Sequence, residues 1–259
     1  MWKNIVLIAF VFLFIGPVYA QVDNSLDSNE WKEEKSKHFI IYYQEASSKY
    51  ISKVKRYAEH YYKSITNYLG FRRFNFWTWE KRCKIYLYPS REEYLKDTGR
   101  ISWSKGSVHV IKKEIVTYAR EAEFFDHVLP HEMGHIIFRE LVGFDKKLSL
   151  WIDEAVAVLQ EEDRAKYLAG ARNLARQGNY VFLSELASVS DYGQIRPDVF
   201  YSQAASIVHF LLEKFGRNKF VIFCRCLRDG EGWEEALLST YKFENLEGLE
   251  KAWINSLSK

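Results

Sequence analysis

An α+β fold is predicted for this chain of 259 residues, with a sheet-plus-helix lobe first, a helical lobe second and a cleft between them. Three observations predict it. Short β-branched and aromatic runs bounded by turn residues crowd the region before residue 120. From Phe124 onward the apolar spacing becomes that of helices. Composition is globular, at 47% hydrophobic and 27% charged with only four prolines, and the length suffices for a substantial core.

Residues 1–20 read as a secretory signal: Lys3 provides the positive start, Ile5 to Ile15 the apolar core, and Val18-Tyr19-Ala20 the small residue before cleavage. The apolar stretch is short for spanning a bilayer, which leaves an uncleaved anchor as the alternative. The expectation is export to the periplasm or the extracellular space, with no membrane span in the mature chain. Residues 21–37 read as a linker and 38–259 as the domain, divided into a β-rich lobe (38–123) and a helical lobe (124–259).

Within the first lobe, His38 to Tyr43 reads as a strand. Ser47 to Leu69 carries Tyr50, Val54, Tyr57, Tyr61, Ile65 and Tyr68 at helical spacing and ends at Gly70, a plausible C-cap. Ile85 to Tyr88 is a strand before Pro89, and Ser90 caps a short helix reaching about Asp97. Ser107 to Ile111 and Glu114 to Ala119 complete the strands. In the second lobe, Pro130 must sit in the first turns of a helix or kink it. Further helices are expected at about 150–177, 201–215, 217–228, 231–241 and 245–257, with a loop from Ser188 to Pro197.

A formal net charge of +3 gives no reason to expect a nucleic-acid partner. Aromatic residues reach 17%, which suggests aromatic packing or an aromatic-lined cleft. The three cysteines lack zinc-site spacing, and buried or unpaired thiols are expected, a single disulfide being the alternative.

The chemistry concentrates at His131-Glu132-Met133-Gly134-His135. On a helix, histidines four apart share a face, so both imidazoles reach one metal ion. Glu132, beside the first, is placed to take a proton from an activated water. Catalytic zinc sites carry three protein ligands and an open position. Glu154, set among Trp151, Ile152, Ala155 and Val158, is the candidate third ligand, because a carboxylate buried there needs a partner. Asp153 beside it is a candidate to orient an imidazole. His127 reads as a wall residue or a helix-start histidine, and His209 as a satisfied core histidine.

H-E-x-x-H, then eighteen residues, then Glu154 in a Trp-x-x-Glu-Ala context resembles the gluzincin metallopeptidases, with peptidase-MA-like domains and the aminopeptidase-N and leukotriene-hydrolase group nearest. Tyr201 to Leu212 is similar to that family's helix, which begins with a tyrosine. The resemblance implies a zincin-like fold, one zinc ion held by His131, His135 and Glu154, Glu132 as general base, Tyr201 as oxyanion donor, and a peptide or protein substrate. Trp103 to Val110 lacks the carboxylate with which aminopeptidases clamp a free amine, so the exopeptidase reading has no support. The strand near Ser107–Ile111 is a candidate edge for pairing with an extended peptide. The alternatives in view are a non-catalytic zinc-containing binding or assembly protein on the same scaffold, and a zinc hydrolase of another amide.

Overall fold

The structure, a computed structural model, describes residues 31–99, 106–119, 122–191 and 194–258. The signal segment and most of the linker lie outside the described residues. The chain forms two compact units, residues 1–60 with 76–129 and residues 61–75 with 130–259.

Among the described residues, the first unit holds a five-stranded sheet in the order β1-β2-β3-β5-β4. The strands are β1 (Lys32–Lys35), β2 (Phe39–Tyr43), β3 (Cys83–Tyr88), β4 (Gly106–His109) and β5 (Glu114–Tyr118). The central β2, β3 and β5 run parallel, while β1 and β4 pair antiparallel at the two edges. Alternation sets the faces. Ile41 pairs with Ile85 and Ile85 with Ile115, and all three are fully buried. The opposite face stacks Tyr42 on Tyr86 at 4.9 Å, and Trp31 meets Tyr86 and Tyr88 edge-on.

β1 corrects the linker expectation. Its sequence, Lys-Glu-Glu-Lys, has no apolar alternation to read, and its strand character comes from pairing with β2. A short, charged edge strand of this kind resists pairing with other chains.

Helix α1 spans Ser48–Tyr68 and closes at Gly70, whose φ of 82° suits glycine. Glu59 on α1 accepts bonds from Ser36 Oγ (2.6 Å) and His38 N (2.8 Å) and meets His38 Nδ1 at 2.6 Å, fixing the helix to the β1–β2 turn. Helix α2 (Arg91–Thr98) is capped as expected, Ser90 Oγ accepting from Glu93 N at 3.2 Å.

The helical unit contains α3 (Leu129–Val142), α4 (Leu150–Val158), α5 (Ala165–Gln177), α6 (Leu183–Ser188), α7 (Pro197–Phe215), α8 (Arg217–Asp229), α9 (Trp233–Tyr241) and α10 (Leu246–Leu257). Pro130 is the second residue of α3, directly after a π-helical turn at Phe124–Val128. The single helix expected over 150–177 is two helices. Tight turns break it, Gln160 N bonding Ala157 O (3.0 Å) and Glu161 N bonding Val158 O (3.2 Å). α7 starts a turn earlier than expected because Pro197 opens it. α6 was not expected at all; its six residues are too few to show a period.

α7 is the centre of this unit, buried along most of its length and packed on α4, α5 and α8. Gly170 of α5 has no room for a Cβ against Ser202 Oγ of α7. Cys83, Cys224 and Cys226 form no disulfide among the described residues, and the first two are buried. Among the described residues, no helix is long and apolar enough to cross a membrane.

Candidate metal centre

α3 aligns His131, His135 and Arg139 on one face at successive intervals of four. All three are buried. α4 presents Asp153 and Glu154, both buried, to the same region. The two helices approach closely because residue 134 is glycine. A Cβ there would lie 2.9 Å from Ala157 Cα and 3.1 Å from Gln160 Cγ.

The result is a convergent donor set. His131 Nε2 and His135 Nε2 are 3.2 Å apart. His131 Nε2 lies 3.7 Å from Glu154 Oε2, and His135 Nε2 lies 3.7 Å from Glu154 Oε1. The three side chains form a group able to hold a metal ion. A tetrahedral zinc ion with donors at about 2.0–2.2 Å separates them by roughly 3.3–3.6 Å. The observed spacings fit.

Charge supports the same reading. Glu132, Asp153, Glu154 and Glu161 are buried carboxylates, and Arg139 is the buried guanidinium among them. A divalent cation, or in its absence protons on the two imidazoles, offsets that excess of negative charge.

Behind each imidazole stands a carboxylate. His131 Nδ1 meets Glu161 Oε1 at 2.9 Å, and Glu161 Oε2 accepts from Tyr167 OH at 3.1 Å. His135 Nδ1 lies 3.3 Å from Asp153 Oδ1. Asp153 Oδ2 in turn accepts from Arg139 Nη2 (2.7 Å) and Nε (3.2 Å), while Arg139 Nη1 bonds Lys146 O at 2.7 Å. A carboxylate at Nδ1 holds the proton there and leaves Nε2 as the donor to a metal.

Protonation follows from these neighbours. Burial works against the His131 imidazolium, but the Glu161 bond and charge, with Glu154 and Glu132, outweigh it and push the pKa up to about 9. His135 is raised the same way, burial being overcome by Asp153 and Glu154. For Asp153, burial is overcome by His135 and Arg139, which hold its carboxyl down at about 2. Metal-free, the pair therefore retains protons that an ion must displace.

Tyr201 lies in the first two turns of α7, buried, its ring 6.3 Å from that of Tyr167. Burial and the charges of Glu154, Glu161 and Glu132 keep its phenol protonated. It is a standing hydrogen-bond donor beside those carboxylates. Glu132 is completely buried. His127 falls in a π-helical turn, Phe124–Val128, ahead of α3. His209 meets Tyr68 OH at 3.1 Å but is only partly buried, so it is a partnered histidine and not the core one expected.

Sequence reasoning missed Glu161, Arg139 and Tyr167. Glu161 is seven residues beyond Glu154, a same-face interval on a helix, and that signal was available. Arg139 was equally legible, four residues after His135.

A family model described as the peptidase MA superfamily matches residues 80–259. The chain belongs to that superfamily. The match takes in α3, α4 and α7, with every residue of the donor set. Membership makes this a metallopeptidase-like domain of a group that is usually zinc-dependent, and the fold is that of a zincin. No curated protein matches the chain.

Proposed function

We propose that this protein is an exported zinc metallopeptidase that hydrolyses peptide bonds. The observation that carries the reading is the buried His131–His135–Glu154 donor set at 3.2–3.7 Å spacings, with a carboxylate behind each imidazole. His131, His135 and Glu154 would hold one zinc ion. When bound, zinc supplies Lewis acidity that brings the pKa of a water toward neutrality and polarises a carbonyl.

The protein's own groups do the rest. Glu132 takes the proton from the water that attacks the scissile carbonyl and hands it to the departing amine. Tyr201 donates its phenolic proton in a hydrogen bond to the oxyanion. Glu161 and Asp153 keep the imidazoles turned with Nε2 inward. Residues 1–20 act as the export signal, which places the active protein in the periplasm or outside the cell. N-terminal sequencing of the exported protein is expected to begin at Gln21.

The decisive experiment is Glu132→Gln, assayed against a broad peptide library with cleavage read by mass spectrometry. Zinc content should stay at the wild-type level while turnover falls by about 10²–10⁴-fold. Retained hydrolysis would falsify the general-base role. Zinc in the wild type with no turnover across the library would instead favour a non-catalytic binding protein on this scaffold.

A further inference from the structure

At one end of the sheet in the first unit, apolar side chains stand in solvent among cations. β2, β3 and β5 are parallel, so the residues leading into them share one end of the sheet. Cys83 N bonds His38 O at 3.0 Å, and Lys84 N bonds Lys113 O at 2.9 Å, which aligns the three lead-ins side by side. Neighbouring strands are about 4.8 Å apart, so the lead-ins form one continuous strip. Cross-ties reinforce it: Arg82 Nε donates to Lys37 O (3.2 Å), and Lys113 Nζ donates to Lys81 O (3.1 Å).

Two side chains project from this strip. Trp79 is 79% exposed and Ile111 68% exposed, the two highest values for large apolar residues among those described. Trp79 opens a short 3₁₀ turn, Trp79–Lys81, and Ile111 lies in the β4–β5 turn that carries Lys113. The Trp79 backbone is held in the left-handed region at φ 51°, as are Trp77 (56°) and Lys113 (56°) beside it. That conformation is rare for bulky residues and marks a constrained segment. Trp77 is the anchor, buried edge-on against Phe39 at 5.4 Å. Trp79, two residues on, is turned outward.

Lys37, Lys81, Arg82, Lys112 and Lys113 give this strip five positive charges against Glu80 within it, in a chain whose formal net charge is only +3. The Arg82 guanidinium lies 5.9 Å from the Trp79 ring centre. We propose that this strip docks the protein on an anionic phospholipid surface, with Trp79 and Ile111 entering the interface and the cations meeting the headgroups.

Three arguments favour lipid over other partners. Exposed Trp with aliphatic tips at turns suits the boundary between headgroups and acyl chains. Basic residues flanking such tips add attraction to anionic lipid, about fivefold in partitioning for each charge near the surface. A protein interface tends to exclude lysine from its centre, and here lysines surround the apolar tips. A phosphate-tracking nucleic-acid surface would have no use for an exposed isoleucine. The proposal does not depend on the metal centre, so it stands or falls separately from the peptidase reading.

The test is cosedimentation of the exported protein, residues 21–259, with vesicles of phosphatidylcholine alone or with one-quarter phosphatidylglycerol. The wild type should bind the anionic vesicles far better, and added salt should weaken binding. Trp79→Ser with Ile111→Ser should lower partitioning about tenfold or more. Lys81→Ala with Lys112→Ala should lower it about 30-fold. All four side chains are exposed, so the variants should fold, with thermal midpoints close to the wild type's. Equal binding by wild type and variants would place any affinity elsewhere in the chain and overturn the proposal. Equal binding to neutral and anionic vesicles would overturn it too. Self-association abolished by Trp79→Ser, without vesicle binding, would assign the strip to a second copy instead.

Discussion

The metal centre and the basic end of the sheet break the usual rule of burial in opposite directions. In the helical unit, carboxylates and imidazoles are taken out of water, and three of them face a polar neighbour: Glu161 at His131, Asp153 near His135 and Arg139 at Asp153. At the sheet end, a tryptophan and an isoleucine are left in water amid lysines. Buried charge and exposed apolar surface are the informative departures from globular composition. The first builds a site whose partners lie within the same unit. The second leaves a surface whose partner must come from outside.

This contrast can be broken or sharpened by substitution. The largest effect expected beyond Glu132 is at Tyr201. Tyr201→Phe removes one donor while leaving the buried ring, and turnover should drop by about 10²–10³-fold with metal content unchanged. An undiminished rate would remove Tyr201 from the chemistry and leave it a packing residue of α7. A smaller effect is expected from the supporting carboxylates. Glu161→Gln or Asp153→Asn should weaken zinc affinity by about 10–100-fold, as measured by competition with a chelator. Unaltered affinity in both would mean that the imidazoles are oriented by packing alone.

The mildest effect is the dependence on pH. Because the His131 pKa is raised to about 9, zinc must displace a proton from it at lower pH. Zinc affinity should therefore fall by about tenfold for each unit of pH below that value. Glu161→Gln should move the onset of this dependence to lower pH, since the strongest of the neighbours that raise the pKa is gone. In the metal-free protein the same shift stabilises the fold. That contribution is complete below the ordinary histidine pKa of roughly 6.5 and is lost as pH rises through about 9. A metal-free protein whose thermal midpoint did not decline over that range would contradict the assignment.

Much of the helical unit was legible because its signals are local. His131, His135 and Glu154 were found from spacing and apolar context, and the structure brings their donor atoms together. Pro130 and the Ser90 cap fell where backbone chemistry put them. Glu161 escaped although its interval from Glu154 was readable, and in the structure the turn after α4 brings that carboxylate to His131. β1 escaped because its four charged residues carry no period, and only the neighbouring strand makes it one. The strip at the sheet end could not be read from the sequence. It joins residues from three separated segments, and parallel pairing leaves no hairpin signal to reveal which strand ends are neighbours.

Gly134 has a consequence for how this centre can change over time. Glu154 lies one turn of α4 before Ala157, the residue that Gly134 lets α3 touch. A single methyl at position 134 would act as a wedge close to that fulcrum and swing the carboxylate away from the histidines. The grip on the ion is thus governed by a hydrogen atom on a residue that is not itself a ligand, and drift at this position would unmake the centre with all three ligands still in place.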